Sequence, residues 1–213
     1  MSPDSRKIRL IIELRRSGVT DTRVCAAIER IPREHFVPEA LRHQAYENIP
    51  LAIGCEQTMS APIVVGRMTQ ALELGERMKV LEVGTGCGYQ AAVLAELART
   101  VYSIELIGEL AVTAQDLLRR LGYENVRIRQ GDGFLGWPEE APFDAIIVTA
   151  DGTELIVIDL KFGRGVAVSA EANDQGQLYA LGALEIVTLL GYEPRPVRIV
   201  IHQPRIQSAP AEW

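Results

Sequence analysis

The stretch that most constrains this chain is Lys79-Val-Leu-Glu-Val-Gly-Thr-Gly-Cys-Gly-Tyr89. Residues 78–83 read as a short buried strand, and residues 89–97 as a helix. Between them Gly84, Gly86 and Gly88 make a turn that larger residues do not make. Strand, glycine turn and helix in that order is how an open α/β sheet builds a nucleotide-like site, because bare backbone admits a ligand to the helix N-terminus. Glycines at this place are also an ordinary tight turn, so two acids carry the reading further. Glu82 precedes the first glycine, and the next apolar run, Thr100-Val-Tyr-Ser-Ile-Glu105, ends in a carboxylate. A carboxylate at the tip of the second strand accepts both hydroxyls of a ribose; the plainer alternative is an exposed acid at a strand end. The spacing is Gly-x-Gly-x-Gly, not the Gly-x-Gly-x-x-Gly of a pyrophosphate binder.

The rest of the chain supplies the other layers of such a sheet. Ile8, Leu10, Ile11, Ile12 and Leu14 predict an amphipathic helix over 4–16, ended by Gly18. Thr20 or Asp21 is placed to cap a second helix through Cys25 and Ile28, which stops before Pro32. Residues 33–51 read as irregular, and 53–62 as a loop that delivers the chain to a helix over 63–72. A helix over 110–121 and a strand over 125–130 follow, then Gly131-Asp132-Gly133 and an almost wholly apolar strand over 143–149. Strands alternating with helices predict an α/β fold, a doubly wound parallel sheet of Rossmann-like form. After Asp151-Gly152 the pattern changes. A strand over 154–162 lies so close behind its predecessor that an antiparallel hairpin is expected, with a buried helix over 175–190 and a last strand over 197–202.

Net charge is −6 in 213 residues, so no global basic field holds nucleic acid, which is not an expected partner. Cys25, Cys55 and Cys87 are odd in number, widely separated and without metal-ligand spacing, as in reduced cytosolic proteins. The first residues hold no apolar signal core and no segment is apolar enough to span a bilayer. A cytoplasmic protein, a monomer with no membrane partner, is the expectation.

Several stretches together resemble the protein-L-isoaspartate O-methyltransferase family, within the class I S-adenosylmethionine-dependent methyltransferases. They are Arg33-Glu-His-Phe-Val-Pro38, Gln57-Thr-Met-Ser-Ala-Pro62, Val80 to Ala92 across the glycine turn, Val101-Tyr-Ser-Ile-Glu105, Gly131-Asp-Gly133 and Phe143 to Thr149. The resemblance runs over about residues 4–150. It implies methyl transfer from S-adenosylmethionine to the carboxylate of L-isoaspartyl residues in damaged proteins, a repair reaction. It also implies that Glu82, Gly84, Thr85, Gly86, Gly88, Glu105, Asp132 and Gly133 bind the cofactor, with Asp132 near the adenine amine. Gln57, Thr58 and Ser60 would meet the substrate, and Ser60 is the implied catalytic residue. Each has a plainer alternative. Ser60 is also a candidate N-cap for the helix that Pro62 enters, Asp132 a turn aspartate, Glu82 a loop brace, and Cys87 a small filler.

The end of the chain departs from that family, which would next show a Pro-Gly-Gly turn and further strands. Residues 144–213 resemble instead the core of phage-associated RecB-like nucleases of the PD-(D/E)xK class. Asp144, Asp159 and Lys161 would take metal-site positions, with Gln175 and Tyr179 in the following helix; the helical glutamate of that class is missing. The expectation is a chimera sharing the strand near 143–148. Residues 1–150 would form the cofactor domain, and 151–213 an atypical segment completing the same sheet. A Mg²⁺-dependent nuclease, or a catalytically inactive fusion, is the competing reading.

Overall fold

A computed structural model of the chain describes residues 3–149 and, past them, the strands 155–160, 197–202 and 211–212. The chain divides into two units, Met1–Asp151 and Gly152–Trp213.

In the first unit four short strands, β3 (Lys79–Val83), β4 (Thr100–Glu105), β5 (Val126–Gln130) and β6 (Ala145–Val148), pair in parallel in the order β5-β4-β3-β6. The register sets Val83 opposite Ile104 and Val148, and Glu105 opposite Gln130, so the carboxyl ends of all four strands open on one edge. Alternation along the strands sends Val80, Val101 and Ile147 into the main core. Leu81, Tyr102, Ile104 and Ile146 join a smaller cluster with Phe143 and Trp137. β4 is thereby covered on both faces, and β6 reads as a continuous apolar run, whereas edge strand β5 keeps Arg127 and Gln130 exposed. Trp137 and Phe143 each meet the Tyr102 ring edge-on, with centroids 5.2 and 5.6 Å away.

Helix α4 (Tyr89–Ala95) follows the glycine turn and is buried at every position through Leu94. Ala91 and Ala92 let it sit close among its neighbours. On it pack α2 (Thr22–Arg30) and α3 (Pro62–Ala71), which in turn contact α1 (Pro3–Arg16). Asp21, one of the two expected caps, accepts the Arg23 amide at 2.8 Å and starts α2. Helix α5 (Gly108–Arg120) lies against β4 and β5. Most element boundaries fall within two residues of the sequence-based expectation.

Two local expectations are corrected. Residues 53–62 are not simply a loop: β1 (Leu51–Gly54) and β2 (Gln57–Met59) form an antiparallel hairpin. Its turn residues Cys55 and Glu56 hold φ of 50° and 57°, a conformation usually given to Gly or Asn, so no turn signature marked it. Ser60 does not cap α3 either. The N-cap is Ala61, and the Ile63 amide donates 2.9 Å to Oδ1 of Asn48, which caps the helix from fifteen residues upstream.

In the second unit β7 (Leu155–Leu160) pairs in parallel with β8 (Val197–His202), and β9 (Ala211–Glu212) adds antiparallel to β8. The expected hairpin of 143–149 with 154–162 is therefore corrected. β6 pairs with β3, whereas the described pairing of β7 is with β8. Short spacing makes a hairpin sterically available but does not choose partners; β6 is an apolar strand paired in parallel to β3. The helix expected over 175–190 lies outside the described residues.

Candidate active site

The three glycines of the turn all adopt left-handed φ, 96° at Gly84, 53° at Gly86 and 86° at Gly88. A side chain at Gly88 would in addition press on Leu118 and Ala114 of α5, 3.1 and 3.3 Å from the site of its Cβ. The turn is held from three sides. Gly84 donates its amide to the Ile104 carbonyl at 2.8 Å. Thr149 Oγ1 donates to the Gly84 carbonyl at 2.6 Å. Gly86 donates to Oε2 of Glu105 at 2.8 Å.

Glu105 is nearly buried, and its other oxygen accepts the Ile107 amide at 2.9 Å. An ionised carboxylate offers about four acceptor sites, so the two amides fix its plane and leave capacity on both oxygens. That is more than an exposed strand-end acid: Glu105 ties the glycine turn to the tip of β4. Gly131 donates to the Glu105 carbonyl at 2.9 Å. Gly133 sits so close to Val83 that a Cβ there would stand 2.2 Å from Val83 Cγ1. Asp132 between them is exposed, and its Oδ1 accepts the Phe134 amide at 2.9 Å. The turn-aspartate role is thus realised, with the carboxylate at the same sheet edge.

Glu82 does not brace the turn directly. Fully buried, it accepts a 2.5 Å hydrogen bond from Ser103 Oγ, which itself lies 2.5 Å from Thr85 Oγ1. A carboxyl–hydroxyl–hydroxyl chain thereby runs from β3 through β4 into the turn. Burial pushes Glu82 up to about 8; the Ser103 hydrogen bond opposes the shift and the nearby Glu105 charge adds to it. Burial also raises the Cys87 thiol to about 11, which suits a filler and not a nucleophile.

Opposite the turn stands the hairpin. The Ile53 Cδ1 atom lies 3.3 Å from where a Gly86 Cβ would be. Gln57 and Thr58 sit on β2, Met59 is buried, and half-buried Ser60 follows. Arg33 Nη2 donates to the Ser60 carbonyl at 2.8 Å and its guanidinium lies over the ring of Tyr89, the first residue of α4. The structure thus gathers Ser60, the glycine turn, Glu82, Thr85, Glu105 and the Asp132 segment into one region at the carboxyl ends of the strands. Sequence reasoning missed Ser103, Thr149, Asn48 and Arg33. Ser103 carried the one available signal, a lone small polar residue inside an apolar strand.

A protein-family model described as protein-L-isoaspartate (D-aspartate) O-methyltransferase matches residues 5–159. The chain belongs to this family. The protein-L-isoaspartate O-methyltransferase of Paramagnetospirillum magneticum is 58% identical over 152 residues, 71% of either chain. That of Rhodospirillum rubrum is 54% identical over 180 residues, 83% of this chain and 82% of the other. A solved protein-L-isoaspartate O-methyltransferase superposes with a TM-score of 0.63 at 33% identity, covering 70% of this chain and 49% of that one.

Residues 141–212 match a second family model, described as a protein of unknown function (DUF2800). That match gives the nuclease reading no support. Asp144 is exposed and spends its carboxylate on the fold: Oδ2 accepts the first amide of β3, Lys79 N, at 2.7 Å. Asp159 lies on β7, and Lys161, Gln175 and Tyr179 fall outside the described residues. Among the described residues no three His, Cys, Asp or Glu side chains gather as a metal would require. Nor is any described helix long and apolar enough to cross a membrane.

Proposed function

We infer that the chain is a protein-L-isoaspartate O-methyltransferase, methylating the isoaspartyl carboxylate of damaged proteins with S-adenosylmethionine as donor. The observation that carries this is the Glu105-braced glycine turn facing the Ser60 hairpin, in a chain of that family.

The residues fit the cofactor. Gly86 and Gly88 leave open backbone where any side chain would be strained. Glu105 keeps acceptor capacity for two ribose hydroxyls, while Asp132 and Gly133 border the place for the adenine. Gly84 and Thr85 complete the cradle, and Glu82 fixes Thr85 through Ser103. When bound, S-adenosylmethionine supplies a methyl group already activated on a sulfonium.

The protein's task is then positional. An isoaspartyl carboxylate is ionised at neutral pH, so no general base is needed. In this reading the Ser60 hydroxyl hydrogen-bonds that carboxylate, with Gln57 and Thr58 flanking it, and the hairpin shields the reacting atoms from water. Holding two reactants in line accounts for much of the acceleration expected of such a site. The partners are isoaspartyl proteins and peptides. We propose further that the enzyme works as a cytoplasmic monomer without nucleic acid. In this reading residues 1–150 carry the activity, and 151–213 are a borrowed segment that makes the chain a chimera.

Calorimetric titration with S-adenosylmethionine, followed by methyl transfer to an isoaspartyl peptide and its aspartyl counterpart, tests the reading. Binding and strong preference for the isoaspartyl form are expected, with the turnover lost in Ser60→Ala. Equal rates on both peptides would sink the substrate assignment.

A further inference from the structure

Arg33 is an unusual occupant of a protein interior. Its side chain is wholly buried, and among the described residues no carboxylate forms a salt bridge with it. Its polar partner is neutral, the Ser60 carbonyl at 2.8 Å; Nε and Nη1 are buried without a hydrogen-bond acceptor. The guanidinium carbon lies 4.4 Å from the centroid of the Tyr89 ring, which Phe36 also meets edge-on at 5.4 Å. Arg33 and Phe36 belong to one 3₁₀ turn, Arg33–Phe36, so a single short segment grips both the Ser60 carbonyl and the start of α4.

Burying a guanidinium carries a large desolvation cost, of which one carbonyl and a ring face recover only part. A methionine would fill much of the same space without that cost. Stability therefore does not explain the charge, but position does. The cation stands beside the loop that presents Ser60 and at the start of the helix that follows the glycine turn. It is always protonated, and among the described residues no carboxylate forms a salt bridge with it.

We infer that Arg33 is a positioning residue for methyl transfer. It clamps the backbone of Ser60, and its uncompensated charge favours the ionised substrate carboxylate that Ser60 meets. It acts without touching the substrate. The inference rests on the isoaspartyl reading of the site.

The test compares wild type, Arg33→Met and Arg33→Lys. Steady-state kinetics are measured on an isoaspartyl peptide, and inhibition by the matching uncharged isoasparaginyl peptide. In Arg33→Met the KM for the isoaspartyl peptide should rise at least tenfold. S-adenosylmethionine affinity should stay within about threefold, and inhibition by the uncharged peptide within about twofold. Arg33→Lys, which keeps the charge but loses the fork, should recover most of the loss in KM. If Arg33→Met does not fold, as its thermal midpoint would reveal, Arg33→Gln keeps a donor for Ser60 without charge and serves for the same comparison. Equal weakening toward charged and uncharged peptides, or no gain from lysine over methionine, overturns the electrostatic role. A wild type with no isoaspartyl preference instead refutes the functional reading, and this inference with it.

Discussion

Glu82→Gln isolates the buried carboxyl that ends the hydroxyl chain. The wild-type group titrates near 8 in the folded protein against an ordinary value of 4.5. Between these values the folded chain holds a proton that the unfolded chain has released, so stability falls as pH rises. The contribution is complete below about 4.5 and lost as pH climbs through 8. Each unit of that window corresponds to about 1.4 kcal/mol, which accumulates to a few kcal/mol by its upper end. Glutamine matches the shape, still accepts from Ser103, and does not titrate. Urea unfolding of both proteins at pH 5, 6.5 and 8 gives the difference directly, because titrations elsewhere cancel. The variant should gain on the wild type steadily with pH and be the more stable of the two at pH 8. Parallel curves would refute the reasoning. Glu82 would then be ionised when folded, and its environment far more polar than Ser103 and a buried unpartnered oxygen make it.

The remaining expectations concern the turn and the hairpin. Glu105→Ala removes the acceptor for Gly86 and Ile107 and, on the proposed reading, the ribose ligand, so S-adenosylmethionine affinity should fall by about 1.5–3 kcal/mol; calorimetry showing no change would move the ribose elsewhere. Asn48→Ala strips the cap from α3 and should cost about 1 kcal/mol of stability. Ser60→Ala should leave the thermal midpoint within about a degree, since it removes no cap. A midpoint that fell with Ser60 and held with Asn48 would reverse the two roles.

What the sequence disclosed was local. Three glycines, the acids after them and the apolar runs are each read within a few residues, and the parallel sheet follows from their alternation. What it concealed depends on partners far along the chain. Asn48 caps a helix that Ser60 was placed to cap, and nothing in either residue's neighbourhood distinguishes them. The hairpin turns on Cys55 and Glu56, residues that pay a conformational penalty there in place of the usual Asn-Gly. Arg33 was legible as part of the Arg33–Pro38 stretch but not as a buried cation, because burial of a cation is decided by the fold around it. The pairing of β7 with β8 instead of β6 was likewise a choice among strands, invisible in their individual composition.

Thr149 gives the end of the first unit a sharper meaning. Its amide donates to the Val83 carbonyl at 2.8 Å, and its hydroxyl reaches the Gly84 carbonyl one residue on. The first unit reaches Asp151, so the latch of the cofactor turn sits at its far boundary. A recombination that exchanged everything after residue 149 would leave the turn's fastening in place, whereas one three or four residues earlier would take the latch away with the old ending. Were the ending after this point replaced, the turn would stay closed, because the residue that fastens it directly follows the last strand of the parallel sheet.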